Sequence, residues 1–446
     1  VRVGGYFHSV TLDAEKCKGC TNCIKHCPTE AIRVRDGKAI IKEERCVDCG
    51  ECIRICPNHA KVVVTDELAE LSRFRHTIAL PAPALMGQFG PDTLPERILG
   101  ALVAMGFDEV FEVALAAEAV TYAFRRVIEA QELPGPRISP ACPAVLRLMQ
   151  VRFPSLLDLL IPIEAPMEVA ARMAKQEALS RGLRPEEVGA FFITPCPAKV
   201  TAVKQPVGTH LSSVDRAISM AVAYGEIRKA LPTAGPLPLR ATGPGLGWGR
   251  AGGEAVALGR GTVLSVDGIH AVIKVFEEVE RGRLQEIDFI EAQACVGGCI
   301  GGPLVVQNPF VARVRLRNVA GQHWERPSPF TPAQLEGEFG SCAWHMTRVI
   351  GPRPVMQLDD NVQRAIGKLK LAEEVLDRLP GLDCGSCGAP SCRALAEDIA
   401  REDAAETDCI FILRERVQAL AEGVVDLASK LPPAIRAEKK KDGEPA

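Results

Sequence analysis

The chain has 446 residues, 47% of them hydrophobic and 24% charged, a globular balance that excludes a disordered chain. At roughly 100–200 residues per domain, that length has room for two to four domains. Its 53 Lys and Arg against 56 Asp and Glu leave a formal net charge of -3, which gives no electrostatic reason to expect nucleic acid as the main partner.

The first residues, Val1-Arg2-Val3-Gly4-Gly5, offer no signal-peptide core and no twin arginine, so a cytoplasmic protein is expected. Residues 1–65 then contain an internal repeat. Cys17-x2-Cys20-x2-Cys23-x3-Cys27-Pro28 recurs as Cys46-x2-Cys49-x2-Cys52-x3-Cys56-Pro57. Between the copies, Ala31–Val34 and Lys38–Ile41 read as short strands around an Asp36-Gly37 turn. Zinc favours two spaced pairs of ligands, a poor match to three cysteines at three-residue intervals closed by Cys-Pro. The spacing is that of the bacterial two-cluster ferredoxin, in which the fourth cysteine of each run ligates the other cluster. That implies one [4Fe–4S] cluster on Cys17, Cys20, Cys23 and Cys56, and another on Cys46, Cys49, Cys52 and Cys27.

Residues 66–75 read as a helical connector. From Thr77 to about Pro354 strands and helices alternate: a strand at Thr77–Leu80, a helix at Leu94–Met105, a strand at Glu109–Leu115 and a helix at Ala119–Ala130. Further strands are expected at Ala190–Ile193 and Ile287–Glu291. Such alternation favours a largely parallel sheet with ligands at the carboxyl ends of its strands. The longest apolar run, Val113–Phe124, is broken by Glu118 and falls short of the ~18 residues of a membrane span. Leu231–Gly261, rich in Gly and Pro, reads as a long loop. Its Gly243-x-Gly245-x-Gly247-x-Gly249 run lacks the strand and the partner residues of a phosphate cradle.

In the last region, Val362–Leu379 reads as a helix leading into Cys384-x2-Cys387-x4-Cys392-x16-Cys409. Ile412–Leu431 carries apolar residues at Leu413, Val417, Leu420, Val424 and Leu427, a helical stripe expected to pack against the rest of the protein. Residues 431–446 form a polar tail, expected to be disordered.

The chain holds 17 cysteines. A disulfide scaffold would be short and secreted; in a reducing compartment clustered thiols mean metal ligands or redox chemistry. Beyond the repeat and the C-terminal set, Cys142, Cys196, Cys295 and Cys299 remain, with Cys342 left over as a structural thiol. Each of the four sits on a breaker-rich turn: Ser139-Pro140-Ala141-Cys142-Pro143, Thr194-Pro195-Cys196-Pro197-Ala198-Lys199, and Ala294-Cys295-Val296-Gly297-Gly298-Cys299. Glycines beside Cys299 would let backbone approach a bulky inorganic ligand closely. Four groups of four suggest four metal clusters.

These three segments resemble the signature motifs of the [FeFe]-hydrogenase active-site domain, in the same order. The resemblance covers about residues 6–350. It implies an H-cluster, a [4Fe–4S] cubane joined to a di-iron unit carrying CO, cyanide and a dithiolate. Cys142, Cys196 and Cys295 would hold the cubane, and Cys299 would bridge to the di-iron unit. Lys199 matches the family lysine that binds a cyanide, and Ala82-Pro83 resembles the turn whose backbone approaches another; Pro195 belongs to the same second motif. The C-terminal cysteine run resembles the small [4Fe–4S] domain of corrinoid iron–sulfur proteins and electron-transport subunits, giving three accessory clusters in all.

The departures from the family lie on its proton route. Ala141 stands where the family has the cysteine that relays protons, and alanine carries none. The acidic pair falls near Ala123 and Phe124, the family serine near Pro162. Gln293 and Thr194 replace methionines. Substitutes for the relay are Glu164, Glu254, His270 and Glu291, in no secure order; the candidate catalytic set is Cys299, Lys199, Gln293, Ala141 and Glu291. The pattern resembles the sensory-type branch of the family, which keeps the H-cluster and turns over slowly.

The implied fold is a multidomain α/β protein: an α+β ferredoxin domain at 1–65, a two-lobed H-cluster domain at 66–354 and a small, mainly helical cluster domain at 355–430. The implied activity is slow interconversion of H2 with protons and electrons, in H2 or redox sensing. Its partners would be H2, protons, a redox or signalling chain and the hydrogenase maturases, with no nucleic acid and with a homodimer left open. The alternative is a non-catalytic, hydrogenase-like assembly or electron-transfer protein; Lys199 weighs against it, because a cubane-only protein has no cyanide to bind.

Overall fold

The computed structural model describes residues 7–130 and 135–430, so the polar tail lies outside them. Strand β1 (Val10–Leu12) pairs antiparallel with β4 (Lys61–Val63), and β2 (Ile32–Arg35) with β3 (Lys38–Ile41). Asp36 and Gly37 both take positive φ, 50° and 70°, the backbone of the tight turn whose twist matches a two-residue hairpin. The two cysteine runs enclose a small core around Ile24, Ile32, Ala39 and Ala60.

Two parallel sheets follow. The first has four strands, β5 (His76–Pro81), β6 (Glu109–Val110), β8 (Val188–Thr194) and β9 (Arg216–Ser219), in the order β6-β5-β8-β9. The second has β7 (Arg137–Ile138), β10 (Val263–Asp267) and β11 (Phe289–Gln293), in the order β10-β11-β7. Every residue of β8 is buried, as a strand covered on both faces requires. The long helices Val113–Ala130 and Pro166–Ser180 pack together over the first sheet, and Ile269–Glu280 covers the second. Each sheet has its own apolar core.

Several expectations need correction. The strand expected at Glu109–Leu115 stops at Val110, and a helix begins at Val113. Glu112 turns the chain between them, its carboxylate accepting from the Arg240 and Ala241 N–H groups at 2.8 and 2.7 Å. The connector at 66–75 is a 3-10 helix, Leu68–Arg73. The expected loop 231–261 contains two helices, Gly243–Gly247 and Gly253–Leu258. Its glycines serve close packing: a Cβ on Gly245 would lie 2.2 Å from the Ala114 carbonyl oxygen. Cys342 is exposed, so it packs into no core.

The C-terminal region is helical, with Val362–Arg378, Cys392–Ala400 and Ile410–Ser429. Its core gathers Val375, Leu379, Leu395, Cys392 and Cys409. The region docks on the N-terminal strands through Asp398, which is fully buried. That carboxylate accepts from Arg33 Nε at 2.5 Å and Nη2 at 3.1 Å, and from Lys42 Nζ at 3.1 Å. The Val34 N–H donates to the Gly388 carbonyl at 2.8 Å. Among the described residues nothing covers the stripe on Ile410–Ser429: no residue of that helix is buried, and Ile412, which packs against the C-terminal core, lies off the stripe.

Candidate active site

Both parallel sheets end at one cavity. From the first sheet come Ala82 and Pro83, just beyond β5, and Cys196, just beyond β8 at the start of helix Pro197–Lys204. From the second come Cys142, past β7 at the start of helix Pro143–Arg152, and Cys295 and Cys299, past β11. This is the crevice outside the carboxyl ends of parallel strands, where such sheets hold ligands. All four cysteines line it with Lys199, Pro195, Ala141, Trp248, Glu254 and Gln293; the remaining wall is mostly apolar.

Lys199 Nζ lies 3.7 Å from Cys299 Sγ. Burial alone would push its ammonium down, but the thiolates of Cys299, Cys196, Cys142 and Cys295 outweigh burial and hold it above its ordinary value. Burial pushes the Cys196 thiol up to about 12 and the Cys295 thiol up to about 11. Gly298, at φ +88°, passes so close to the Gln293 carbonyl that a Cβ there would lie 2.2 Å from Oε1. Thr194 is fully buried and acts on the backbone, its hydroxyl accepting from the Cys196 N–H at 3.3 Å and donating to the Cys196 carbonyl at 3.0 Å.

The four substitutes for a proton relay separate cleanly. Glu254 lines the cavity and Glu291 is buried behind it. Gln293 Nε2 joins them, 3.0 Å from Glu291 and 3.4 Å from Glu254, and Ser139 Oγ donates to Glu254 at 2.6 Å. Glu291 also accepts from the Gly252 and Ala255 N–H groups at 2.9 Å, and it stands in register beside Ser265, an exposed residue of β10. Burial raises both carboxyls, and the charge of Glu291 raises Glu254 further. Glu164 instead pairs with Arg172 and lines a neighbouring cavity. His270 is exposed and reaches the His26 carbonyl at 3.2 Å, away from the cavity.

Positions of the family's usual route are apolar. Ala141 borders the cavity without a donor, and Ala123 and Phe124 are buried, Phe124 against Trp248 and Phe289. Pro162 is exposed.

The N-terminal cysteines line two further cavities. Cys27, Cys46, Cys49 and Cys52 share one; Cys17, Cys20, Cys23 and Cys56 share the other. The first adjoins the active-site cavity, since Cys49 packs in one apolar cluster with Cys196 and Ala198. Arg54 stands at this junction, donating to the Gly301 carbonyl at 3.1 Å, with Cys295 and Cys49 close enough for their charge to act on its guanidinium. The second faces the C-terminal region: Gly385 approaches Ile24 and Lys25, and Arg35 donates to the Cys387 carbonyl at 3.0 Å. Sequence reasoning missed Arg54, Ser139 and Ser265. Ser139 was within reach, three residues before Cys142; the other two carry no spacing signal.

The family "Iron only hydrogenase large subunit, C-terminal domain" matches residues 75–235 and 253–303, which hold all four cavity cysteines. The chain carries an iron-only hydrogenase domain. A 4Fe-4S dicluster domain precedes the hydrogenase domain at residues 9–57, and an Fe-S cluster family matches residues 379–411. Iron hydrogenase 1 of Clostridium pasteurianum is 26% identical over 374 residues, 66% of this chain and 64% of that protein. The periplasmic [Fe] hydrogenase large subunit of Nitratidesulfovibrio vulgaris is 28% identical over 213 residues, 43% of this chain and 50% of that protein. The chain thus spans half to two-thirds of the length of these relatives. A [FeFe]-hydrogenase of Chlamydomonas reinhardtii aligns in structure at 18% identity with a TM-score of 0.46, covering 62% of this chain and 93% of that one. Among the described residues, no helix is long and apolar enough to cross a membrane.

Proposed function

We propose that the hydrogenase domain holds an H-cluster and interconverts H2 with protons and electrons slowly, in H2 or redox sensing. The observation that carries this reading is the convergence of Cys142, Cys196, Cys295, Cys299 and Lys199 on one largely apolar cavity. The donor set fits the group: four thiols for iron, one fixed cation for an anionic ligand, and a dry wall. Cys142, Cys196 and Cys295 would hold the cubane, Cys299 would bridge, and Lys199 would bind cyanide. When bound, the H-cluster supplies the iron site where H2 is split or formed.

The protein's own groups then manage protons and electrons. Glu254 holds a proton at the cavity wall, and Gln293 keeps its carboxylate beside that of Glu291. Glu291 passes the proton outward on the side of Ser265, its exposed register partner on β10. A relay of titratable groups within hydrogen-bond reach is what such chemistry needs. Each H2 consumed yields two protons to this route and two electrons to the clusters. The electrons would leave by Cys27, Cys46, Cys49 and Cys52, continue to Cys17, Cys20, Cys23 and Cys56, and end on Cys384, Cys387, Cys392 and Cys409. The C-terminal cluster is thus the far end of a single line.

The test is H2 evolution from reduced dye by protein loaded with all clusters and a synthetic di-iron cofactor. We expect slow turnover that is lost in Cys299→Ser. Absence of turnover and of hydrogen isotope exchange in the fully loaded protein would overturn the reading in favour of an assembly or electron-transfer role.

A further inference from the structure

The helix Ile410–Ser429 presents an apolar seam that no other described residue covers. Ile410, Leu413, Val417, Leu420, Val424 and Leu427 recur at alternating spacings of three and four, and each is 45–70% exposed. This is a heptad pattern with one side-chain shape at each seam position. The a positions are Ile410, Val417 and Val424, all β-branched; the d positions are Leu413, Leu420 and Leu427. β-Branched a residues with leucine at d favour two parallel strands over higher orders, because each shape packs into its own layer. Glu415, Glu422 and Ser429 lie on the opposite side. Of the flanking positions, Ala421, Gly423 and Ala428 are small, Arg416 would face Ala421 of the other helix and Arg414 would face Cys409, so no like charges oppose the pairing.

We propose that this helix is the dimerisation element of the protein, forming a parallel, in-register two-stranded coiled coil with a second copy of the chain. The seam is self-complementary, as a two-fold interface must be. Pairing two seams removes on the order of 1,200 Å² in total from water, where specific interfaces begin. An isolated helix of this length is marginal in water, so the pairing also explains how the helix persists with only Ile412 packed against the C-terminal core and Arg416 paired with Glu406.

The arrangement has a consequence for electron flow. Cys409 immediately precedes the first seam residue, so parallel pairing sets the two C-terminal cysteine sets side by side where the coiled coil begins. Two electron lines would meet there, and reduction of one copy would be shared with the other. That consequence rests on the cluster assignment proposed above; the pairing does not.

The test is sedimentation equilibrium of the iron-loaded full chain at micromolar concentration. We expect twice the mass of the chain, and the mass of one chain for Leu420→Glu with iron content unchanged. Orientation is read in a Cys342→Ser background. There, Val424→Cys should be cross-linked between copies by a short bis-maleimide, since residue 424 faces itself only in the parallel register. A monomer, a higher oligomer, a dimer that survives Leu420→Glu, or a dimer without the 424 cross-link would each overturn the proposal. None of these outcomes bears on whether the cavity holds an H-cluster.

Discussion

Glu254 and Glu291 stand out at the scale of single residues because they are carboxyls buried beside a mostly apolar cavity. A proton relay at this position typically contributes a factor of 10² or more. Glu254→Gln should therefore lower H2 turnover by about 100-fold while iron content and cofactor bands stay the same. Glu254→Asp should recover part of the rate. If Glu254→Gln turns over normally, protons use another route. A different carboxyl governs stability. Glu168, with Ser212 Oγ and the Ser213 N–H donating to it at 2.7 Å, is pushed up to about 7 by burial, from 4.5. Between those values the native state keeps a proton that the unfolded chain has released, so stability falls as pH rises through this window. The loss is of order 3 kcal/mol. Glu168→Gln should flatten that decline in denaturant titrations at pH 5 and pH 8; an unchanged slope would contradict it. Sequence alone put Glu254 and Glu291 beside Glu164 and His270 without order, because only the fold decides which carboxyls face the cavity.

Elements were legible where periodicity and packing agree and misread where a residue type serves an unusual purpose. Thr77–Leu80 and Ala190–Ile193 fall inside strands because buried parallel strands are short runs of apolar residues. Glu109–Leu115 has the same look, yet Glu112 ends the strand by binding backbone N–H groups that lie 128 and 129 residues further along the chain. Gly243 to Gly249 looks like a loop because glycine usually marks turns; here it brings a helix against its neighbours, and Gly245→Ala should cost about 1–3 kcal/mol through overpacking against Ala114. Docking of the C-terminal helices depends on Asp398. Asp398→Ala leaves Arg33 buried without its anion, a loss of about 3–5 kcal/mol for a broken buried pair. Limited proteolysis should then cut between residues 350 and 361, which join the C-terminal helices to the hydrogenase domain. Protection equal to the parent protein would show that the contact does not hold the region.

On the scale of the whole molecule, the cysteine spacings announced the N-terminal repeat, because its ligands are local in sequence. The cavity cysteines span 157 residues, and their meeting depends on two sheets ending at one crevice. Their order was readable only through resemblance to a family. The line of cysteine sets from the cavity to Cys409 was not readable at all, since it arises from Cys49 and Cys196 sharing one apolar cluster and from Gly388 docking on Val34. The central claim is that the cavity holds an H-cluster. Its most direct test is infrared spectroscopy in the CO and cyanide region, on protein loaded with clusters and a synthetic di-iron cofactor, under argon and then under H2. The account predicts bands that appear on loading, shift under H2 and are lost in Cys299→Ser. No bands, with iron near sixteen atoms per chain as expected for about four cubanes, would contradict it.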